Sequence, residues 1–159
     1  MKVQDVMTSP AHSCTPGASL TAAARTMCDY GCGALPVLDN SGRPIGILTD
    51  RDICMAAARG SQFPGGIVVR DVMTFNPTTC RPGTDVGEVL EVMASRRVRR
   101  LPVVDEKGSL VGIVSLADVV AGMRDSGSLD SSLLGRLVAA SQQTAQPRPW
   151  TRGTTPAPN

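Results

Sequence analysis

The chain has 159 residues, of which 42% are hydrophobic and 19% charged, and its 16 basic and 14 acidic residues give a net charge of +2. This composition is typical of a soluble globular domain or of two small domains packed together. The near-neutral charge and the scarcity of aromatic residues argue against a nucleic-acid partner. No leader pattern or long apolar run predicts export or membrane insertion, so we predict a cytoplasmic protein.

The second half of the chain repeats the first at an offset of 66 residues, the difference between Val69 and Val3. A unit of about 60 residues buries too little surface to be very stable alone, so we expect the two copies to stabilise each other. The matched positions include Asp5, Met7, Cys14, Gly46 and Asp52 in the first copy, and Asp71, Met73, Cys80, Gly112 and Asp118 in the second.

In the first copy the pattern predicts strand, helix, strand, strand and helix. The predicted elements are a short strand around Cys14, a helix over 20–30 capped by Ser19 and closed by Gly31, a hairpin of strands 35–38 and 45–48, and a helix over 50–59. Pro64 and neighbouring glycines indicate a linker over 61–68.

The second copy predicts the same order of elements. They are a strand around Cys80, a helix over 86–96 capped by Asp85, strands 101–104 and 110–114, and a helix over 116–124. The domains are therefore 1–60 and 69–125, followed by a helix over 126–141 that Ser128 caps and a Pro-rich disordered tail over 142–159. The leucines of this last helix, together with Val138, either cover the core or form an oligomer contact.

Each second hairpin strand ends in Gly, two apolar residues, a hydroxyl, two residues and Asp. Thr49 and Asp52 close this phrase in the first copy, as Ser115 and Asp118 do in the second. One interpretation is a helix cap with an acidic third residue. The other is a ligand site, in which the carboxylate accepts both hydroxyls of a ribose and the helix amino terminus attracts phosphate.

These phrases, the Asp-Val-Met-Thr openings and the repeated Leu-Pro-Val-(Leu/Val)-Asp resemble a tandem pair of CBS (cystathionine beta-synthase) domains, often called a Bateman module. The resemblance covers residues 3–124 and is similar to short stand-alone bacterial CBS-pair proteins. It implies an α/β (α+β) fold of two β-α-β-β-α repeats packed about a pseudo-twofold axis. It also implies clefts between the repeats for an adenosyl ligand such as AMP, ADP, ATP, S-adenosylmethionine or NAD.

The resemblance assigns roles to particular residues. Asp118 and Asp52 would bind ribose, with Ser115 and Thr49 as neighbouring hydroxyls. Backbone contacts to the base would fall near Ile113 and Ile47 and on the segment that follows each Asp-Val-Met opening. Because each cleft of the family mixes both copies, the first opening segment should line the Asp118 cleft. The segment residues are Thr8, Ser9, Pro10 and His12 in the first copy, and Thr74, Asn76, Pro77 and Thr79 in the second.

The two copies differ in charge before the first hairpin strand. Arg99 and Arg100 stand where the first copy has Gly33 and Ala34. The resemblance makes these arginines candidates to bind phosphate, and the alternative is a solvated basic face. The Asp118 cleft is thus predicted to be better equipped for a phosphorylated ligand.

The sequence offers few groups for catalysis, because His12 is its single histidine and it contains neither a nucleophile elbow nor a phosphate-binding loop. The cysteine spacing suits neither a four-ligand metal site nor a disulfide framework, so we predict no metal and reduced thiols. Cys14 and Cys80 are assigned to the core, and redox sensing through Cys28 or Cys32 is an alternative.

The sequence therefore predicts a non-enzymatic regulatory module that binds an adenosyl ligand. It would signal to an effector protein or through the geometry of a homodimer, and it would bind neither nucleic acid nor membrane. The rival hypothesis is a ligand-free interaction protein with vestigial clefts.

Overall fold

The computed structural model describes residues 1–59, 64–126 and 131–145, which form two compact units. The Asp52 unit comprises residues 11–59 and 64–77. The Asp118 unit comprises residues 1–10, 78–126 and 131–145. Linker residues 61–63, the cap predicted at Ser128 and the tail beyond Ala145 lie outside the described residues.

The Asp52 unit combines two helices with an antiparallel sheet of order β1-β2-β3. Short 3-10 turns lie at Pro64–Gly66 and Val69–Asp71. The helices and strands are α1 (Leu20–Asp29), β1 (Ala34–Leu38), β2 (Pro44–Thr49), α2 (Asp50–Arg59) and β3 (Thr74–Phe75).

The Asp118 unit combines three helices with an antiparallel β4-β5 hairpin. A 3-10 turn lies at Val3–Asp5. The helices and strands are α3 (Val86–Arg96), β4 (Arg100–Val104), β5 (Leu110–Ser115), α4 (Leu116–Asp125) and α5 (Ser131–Ala145). The mixed helix and strand content confirms the predicted fold class.

Local sequence signals account for the helix ends. The Ser19 hydroxyl accepts a hydrogen bond from the Ala22 amide (3.2 Å), and Asp85 Oδ1 accepts one from the Gly87 amide (2.9 Å), as the capping prediction requires. Gly31 follows α1 with φ +61. Arg97, its counterpart after α3, adopts the same left-handed region at φ +53, where glycine is the residue without a steric cost.

The predicted strands around Cys14 and Cys80 are each reduced to a single bridge, to Val37 and to Val103. Pro16 and Pro82, two residues further on, have no N–H to extend a ladder, which explains the short pairing. Conversely, β3 was not predicted, because two residues carry no periodicity to detect.

The repeats exchange their opening segments. Val3 is fully buried in the core of the Asp118 unit, and its counterpart Val69 is fully buried in the core of the Asp52 unit. The backbone bonds repeat as well. The Val3 amide donates to the Thr84 carbonyl (3.0 Å), and the Val69 amide donates to the Ala18 carbonyl (2.8 Å). Each compact unit therefore combines most of one repeat with the first residues of the other.

Helix α5 covers the core of the Asp118 unit, which is one of its two predicted roles. Ala140 is fully buried, and Leu133 and Leu137 pack against the same cluster. The described helix spans Ser131–Ala145, so residues 142–145, predicted as the start of the tail, are helical instead. None of the described helices is long and apolar enough to cross a membrane.

Candidate functional site

The first turn of α4 is closed by a reciprocal cap between Ser115 and Asp118. The Ser115 hydroxyl accepts from the Asp118 amide (3.2 Å), while Asp118 Oδ2 accepts from both the Ser115 amide (2.7 Å) and the Ser115 hydroxyl (2.7 Å). The capping interpretation of this motif therefore describes a real structural role. Because the Ser115 hydroxyl donates its single proton to Asp118, it can form a further hydrogen bond only as an acceptor.

The same cap opens α2. The Thr49 hydroxyl accepts from the Asp52 amide (3.2 Å), and Asp52 Oδ2 accepts from the Thr49 amide (2.9 Å) and hydroxyl (2.6 Å). Asp52 and Asp118 are both half-buried, and within the described part of the chain neither Oδ1 accepts a hydrogen bond. Each carboxylate thus has one oxygen held by the cap and one without a hydrogen-bond donor among the described residues.

In the Asp118 unit, the opening segment of the first repeat pairs with β5, the strand that ends at Ser115. The Thr8 amide donates to the Ile113 carbonyl (2.9 Å), and the Ile113 amide donates back to the Thr8 carbonyl (3.0 Å). The Ser9 hydroxyl donates to the Val111 carbonyl (2.8 Å). The backbone amide and carbonyl of Ile113, where a backbone contact to the base was predicted, are thus both engaged by Thr8. The Ile113 side chain is half-buried.

Gly112 allows the opening segment to lie close to β5. A Cβ on Gly112 would lie 2.9 Å from the Thr8 carbonyl oxygen and 3.0 Å from Met7 Sδ, both closer than normal packing allows. In the Asp52 unit, a Cβ on Gly46 would collide with the Met73 side chain. Sequence reasoning assigned these glycines no role, although a glycine inside both strands was a signal for close backbone approach.

The Asp52 unit contains the corresponding segment. Thr74 pairs with Ile47 and Phe75 pairs with Gly46, and the Asn76 amide donates to the Ile45 carbonyl (3.0 Å). Asn76 adopts φ +48. Half-buried Pro77 ends the part of the segment that belongs to this unit.

Two residues grouped by the sequence prediction fall in the other unit. His12 was placed with Thr8, Ser9 and Pro10, but it belongs to the Asp52 unit and stacks on Tyr30, with ring centroids 3.6 Å apart and planes inclined by 16°. Thr79, grouped with Asn76, belongs to the Asp118 unit. The chain passes from one unit to the other at these points, which a contiguous motif does not reveal.

Backbone contacts link Arg99 and Arg100 to the start of α4, where Asp118 forms its cap. The Arg99 carbonyl accepts from the Leu116 amide (3.1 Å), and Arg100 pairs with Ser115 across the β4-β5 ladder. Residues directly opposite each other on an antiparallel ladder carry their side chains on the same face. Arg100 is half-buried and Arg99 exposed.

The comparisons with known proteins agree with this architecture. The family model of the CBS domain matches residues 3–59 and 69–125. The chain belongs to the CBS domain family. The CBS repeats thus cover most of the described residues, and the recognition made from the sequence is confirmed.

Several curated proteins are similar to this chain in sequence. The uncharacterized protein YlbB of Bacillus subtilis is 38% identical over 119 residues, covering 74% of this chain and 79% of that protein. An uncharacterized protein of Methanopyrus kandleri, MK0525, is 32% identical over 94 residues, covering 59% of this chain and 48% of its own length. Inosine-5'-monophosphate dehydrogenase of Methanocaldococcus jannaschii is 31% identical over 119 residues, covering 75% of this chain and 23% of the enzyme.

Two similar solved structures contain adenosyl compounds. The CBS domain pair of protein MJ0100, in complex with 5'-methylthioadenosine and S-adenosyl-L-methionine, has a TM-score of 0.72 at 26% identity, covering 79% of this chain and 98% of that one. CBSX2 in complex with AMP has a TM-score of 0.67 at 27% identity, covering 80% and 98% of the two chains.

Proposed function

We propose that this CBS pair is a non-enzymatic regulatory module that binds an adenosyl ligand at the Asp118 site and, with a different preference, at the Asp52 site. The ribose hydroxyls would donate to the free Oδ1 of the carboxylate. Charge-assisted bonds of this kind contribute roughly 1.5–3 kcal/mol each. AMP, ADP, ATP, S-adenosylmethionine and NAD are the candidate ligands.

The observation that carries the proposal is that Asp118 uses only one of its two carboxylate oxygens in the helix cap. Asp118 Oδ2 is held by the cap while Oδ1 accepts no bond from any described residue, which fixes the direction of the group before a ligand arrives. Preorganisation of this kind lowers the cost of binding. The adenosyl compounds in the structures of the MJ0100 pair and CBSX2 support the choice of ligand class.

The opening segment gives the binding event a route to the rest of the protein. Thr8 and Ser9 are held at the Asp118 site, and the chain continues from Pro10 into the Asp52 unit. A ligand that contacts residues 8–10 would therefore stabilise the chain that connects the two units. The output would pass to an effector protein or to a second copy in a homodimer, in the cytoplasm.

The test separates ligand binding from capping. Asp118→Asn keeps a carbonyl oxygen for the cap but removes the charge, and Asp52→Asn is its matched variant in the other repeat. In calorimetric titrations with ATP, we expect Asp118→Asn to weaken binding about tenfold or more and Asp52→Asn to have the smaller effect. Equal losses, or a larger loss for Asp52→Asn, would contradict this assignment.

A thermal-shift panel tests whether any ligand binds at all. A ligand at about 100 times its Kd adds about 2.7 kcal/mol of stability, and in a chain of this size each kcal/mol raises Tm by roughly 2–4 °C. AMP, ADP, ATP, S-adenosylmethionine and NAD are the compounds to compare. A Ser19→Ala control removes the cap of α1, in which neither carboxylate takes part, and should lower Tm while the shift with ligand persists.

A ligand-free interaction protein is the second candidate. The observation in its favour is that both carboxylates already serve a helix cap, so their presence is explained without a ligand. Absence of a thermal shift with every compound of the panel would favour this candidate.

A further inference from the structure

The two candidate sites share a framework but differ in charge, and this difference has a consequence for their ligands. In the Asp118 unit, the arginines at positions 99 and 100 flank the cap, and Leu116 and Ala117 precede the carboxylate on α4. Two positive charges and one negative charge give this site a formal balance of +1.

In the Asp52 unit the same framework positions are uncharged. The Gly33 carbonyl accepts from the Asp50 amide (3.3 Å) as the Arg99 carbonyl does from Leu116, and Ala34 pairs with Thr49 as Arg100 does with Ser115. Gly33 and Ala34 therefore stand at the structural equivalents of the two arginines.

The start of α2 adds negative charge to this second site. Asp50, Arg51 and Asp52 occupy its first turn, with Asp50 Oδ1 accepting from the Arg51 amide (2.7 Å). Asp50 and Arg51 are exposed. Two carboxylates against one guanidinium give the site a formal balance of −1.

Building on the proposed function, we propose that the two sites sort adenosyl ligands by charge: the Asp118 site takes a phosphorylated adenosine nucleotide, and the Asp52 site takes a phosphate-free adenosyl compound, neutral or cationic. A phosphate monoester carries about −1.5 to −2 charge at pH 7. The guanidinium fork matches phosphate oxygens, whereas the start of α2 offers no guanidinium at the equivalent positions and its net negative charge repels phosphate and attracts a sulfonium.

The sharing of one backbone framework strengthens the inference. Both units contain the same cap geometry, a glycine in the second hairpin strand and an opening segment paired with that strand, so these features provide the common adenosyl part of recognition. The charged residues are what differs around them. If Arg99 and Arg100 formed only a solvated basic face, the two sites would not differ in the ligands that they bind.

The first experiment needs no variant. The full chain is saturated with ATP and then titrated with 5'-methylthioadenosine by isothermal calorimetry. We expect 5'-methylthioadenosine still to bind with one site per chain, because ATP occupies only the Asp118 site. Displacement of ATP by 5'-methylthioadenosine with no additional site, or ATP filling two equivalent sites, would overturn the sorting.

The second experiment exchanges the charges between the repeats. Arg99→Gly with Arg100→Ala introduces the residues of the first repeat, and we expect ATP affinity to fall at least about tenfold while the affinity of the second site for 5'-methylthioadenosine changes less than about twofold. Gly33→Arg with Asp50→Leu introduces the residues of the second repeat, and ATP should gain a second site. Unchanged ATP binding in both double variants would refute the inference.

These outcomes are distinct from failure of the proposed function. Absence of binding by both ATP and 5'-methylthioadenosine would refute ligand binding itself, and the sorting with it. Binding of both compounds at one shared site would refute the sorting alone. The unfolding midpoint of each ligand-free variant confirms that the exchanged residues leave the fold intact.

Discussion

Gly112→Ala is the sharpest test of how the opening segment is held in the Asp118 unit. The new methyl group would lie 2.9 Å from the Thr8 carbonyl oxygen, a backbone atom that cannot move without disturbing the two bonds between Thr8 and Ile113 (2.9 and 3.0 Å). The expected result is displacement of the segment from β5, with lower stability and weaker ligand binding at the Asp118 site.

The magnitude follows from opposing effects. Two backbone hydrogen bonds at about 0.5–1.5 kcal/mol each give a loss of about 1–3 kcal/mol. Replacing glycine by alanine restricts the unfolded chain, which returns about 0.4–1 kcal/mol. Taking the middle of each range, the net loss for Gly112→Ala is about 1.3 kcal/mol, which lowers Tm by roughly 3–5 °C.

Gly83→Ala is the matched control in the same unit. A Cβ at Gly83 meets no atom within 4 Å, and its backbone lies outside the left-handed region. The same substitution should therefore raise stability by about 0.4–1 kcal/mol, opposite in sign to Gly112→Ala. Urea denaturation measures both, and amide exchange at Thr8 reports local opening. A Gly112→Ala protein that is as stable as Gly83→Ala, with the Thr8 amide still protected from exchange, would contradict this prediction.

Three further predictions concern other parts of the fold. Arg97→Gly should raise the free energy of unfolding by about 1 kcal/mol, because Arg97 adopts φ +53; a decrease in urea denaturation would contradict this. Burial raises the pKa of the Cys14 and Cys80 thiols to about 11 from 9.0, so the unfolded chain loses these protons first and stability should fall as pH rises from about 9 to about 11. A pH series of thermal melts checks the fall, and a flat profile over that range would speak against it. Glu91→Gln removes the negative charge of the exposed ion pair between Glu91 Oε1 and Arg136 Nη1 (2.9 Å) and should change stability by less than about 1 kcal/mol; a larger loss in urea denaturation would mean that the ion pair, rather than apolar packing, holds α5 in place.

The sequence was sufficient for the elements whose signals are local. Caps such as Ser19 and Asp85 are set by contacts within one helical turn, and apolar runs bounded by glycine turns define the hairpins. Because the chain is duplicated, each local signal in one repeat could be checked against the equivalent positions of the other repeat. The cap of Ser115 and Asp118 was foreseen for the same reason, since its partners are three residues apart.

Contacts between distant residues were decided by the tertiary structure. Chain order places Val3 in the first repeat, but burial places it in the core of the second, and His12 separates from Thr8 although only four positions divide them. The sequence by itself determined the duplicated fold and the carboxylates that recur in it. Only the folded chain decided which oxygen of each carboxylate is used and which segment pairs with the strand before it, because those contacts depend on burial between parts of the chain that no local pattern links.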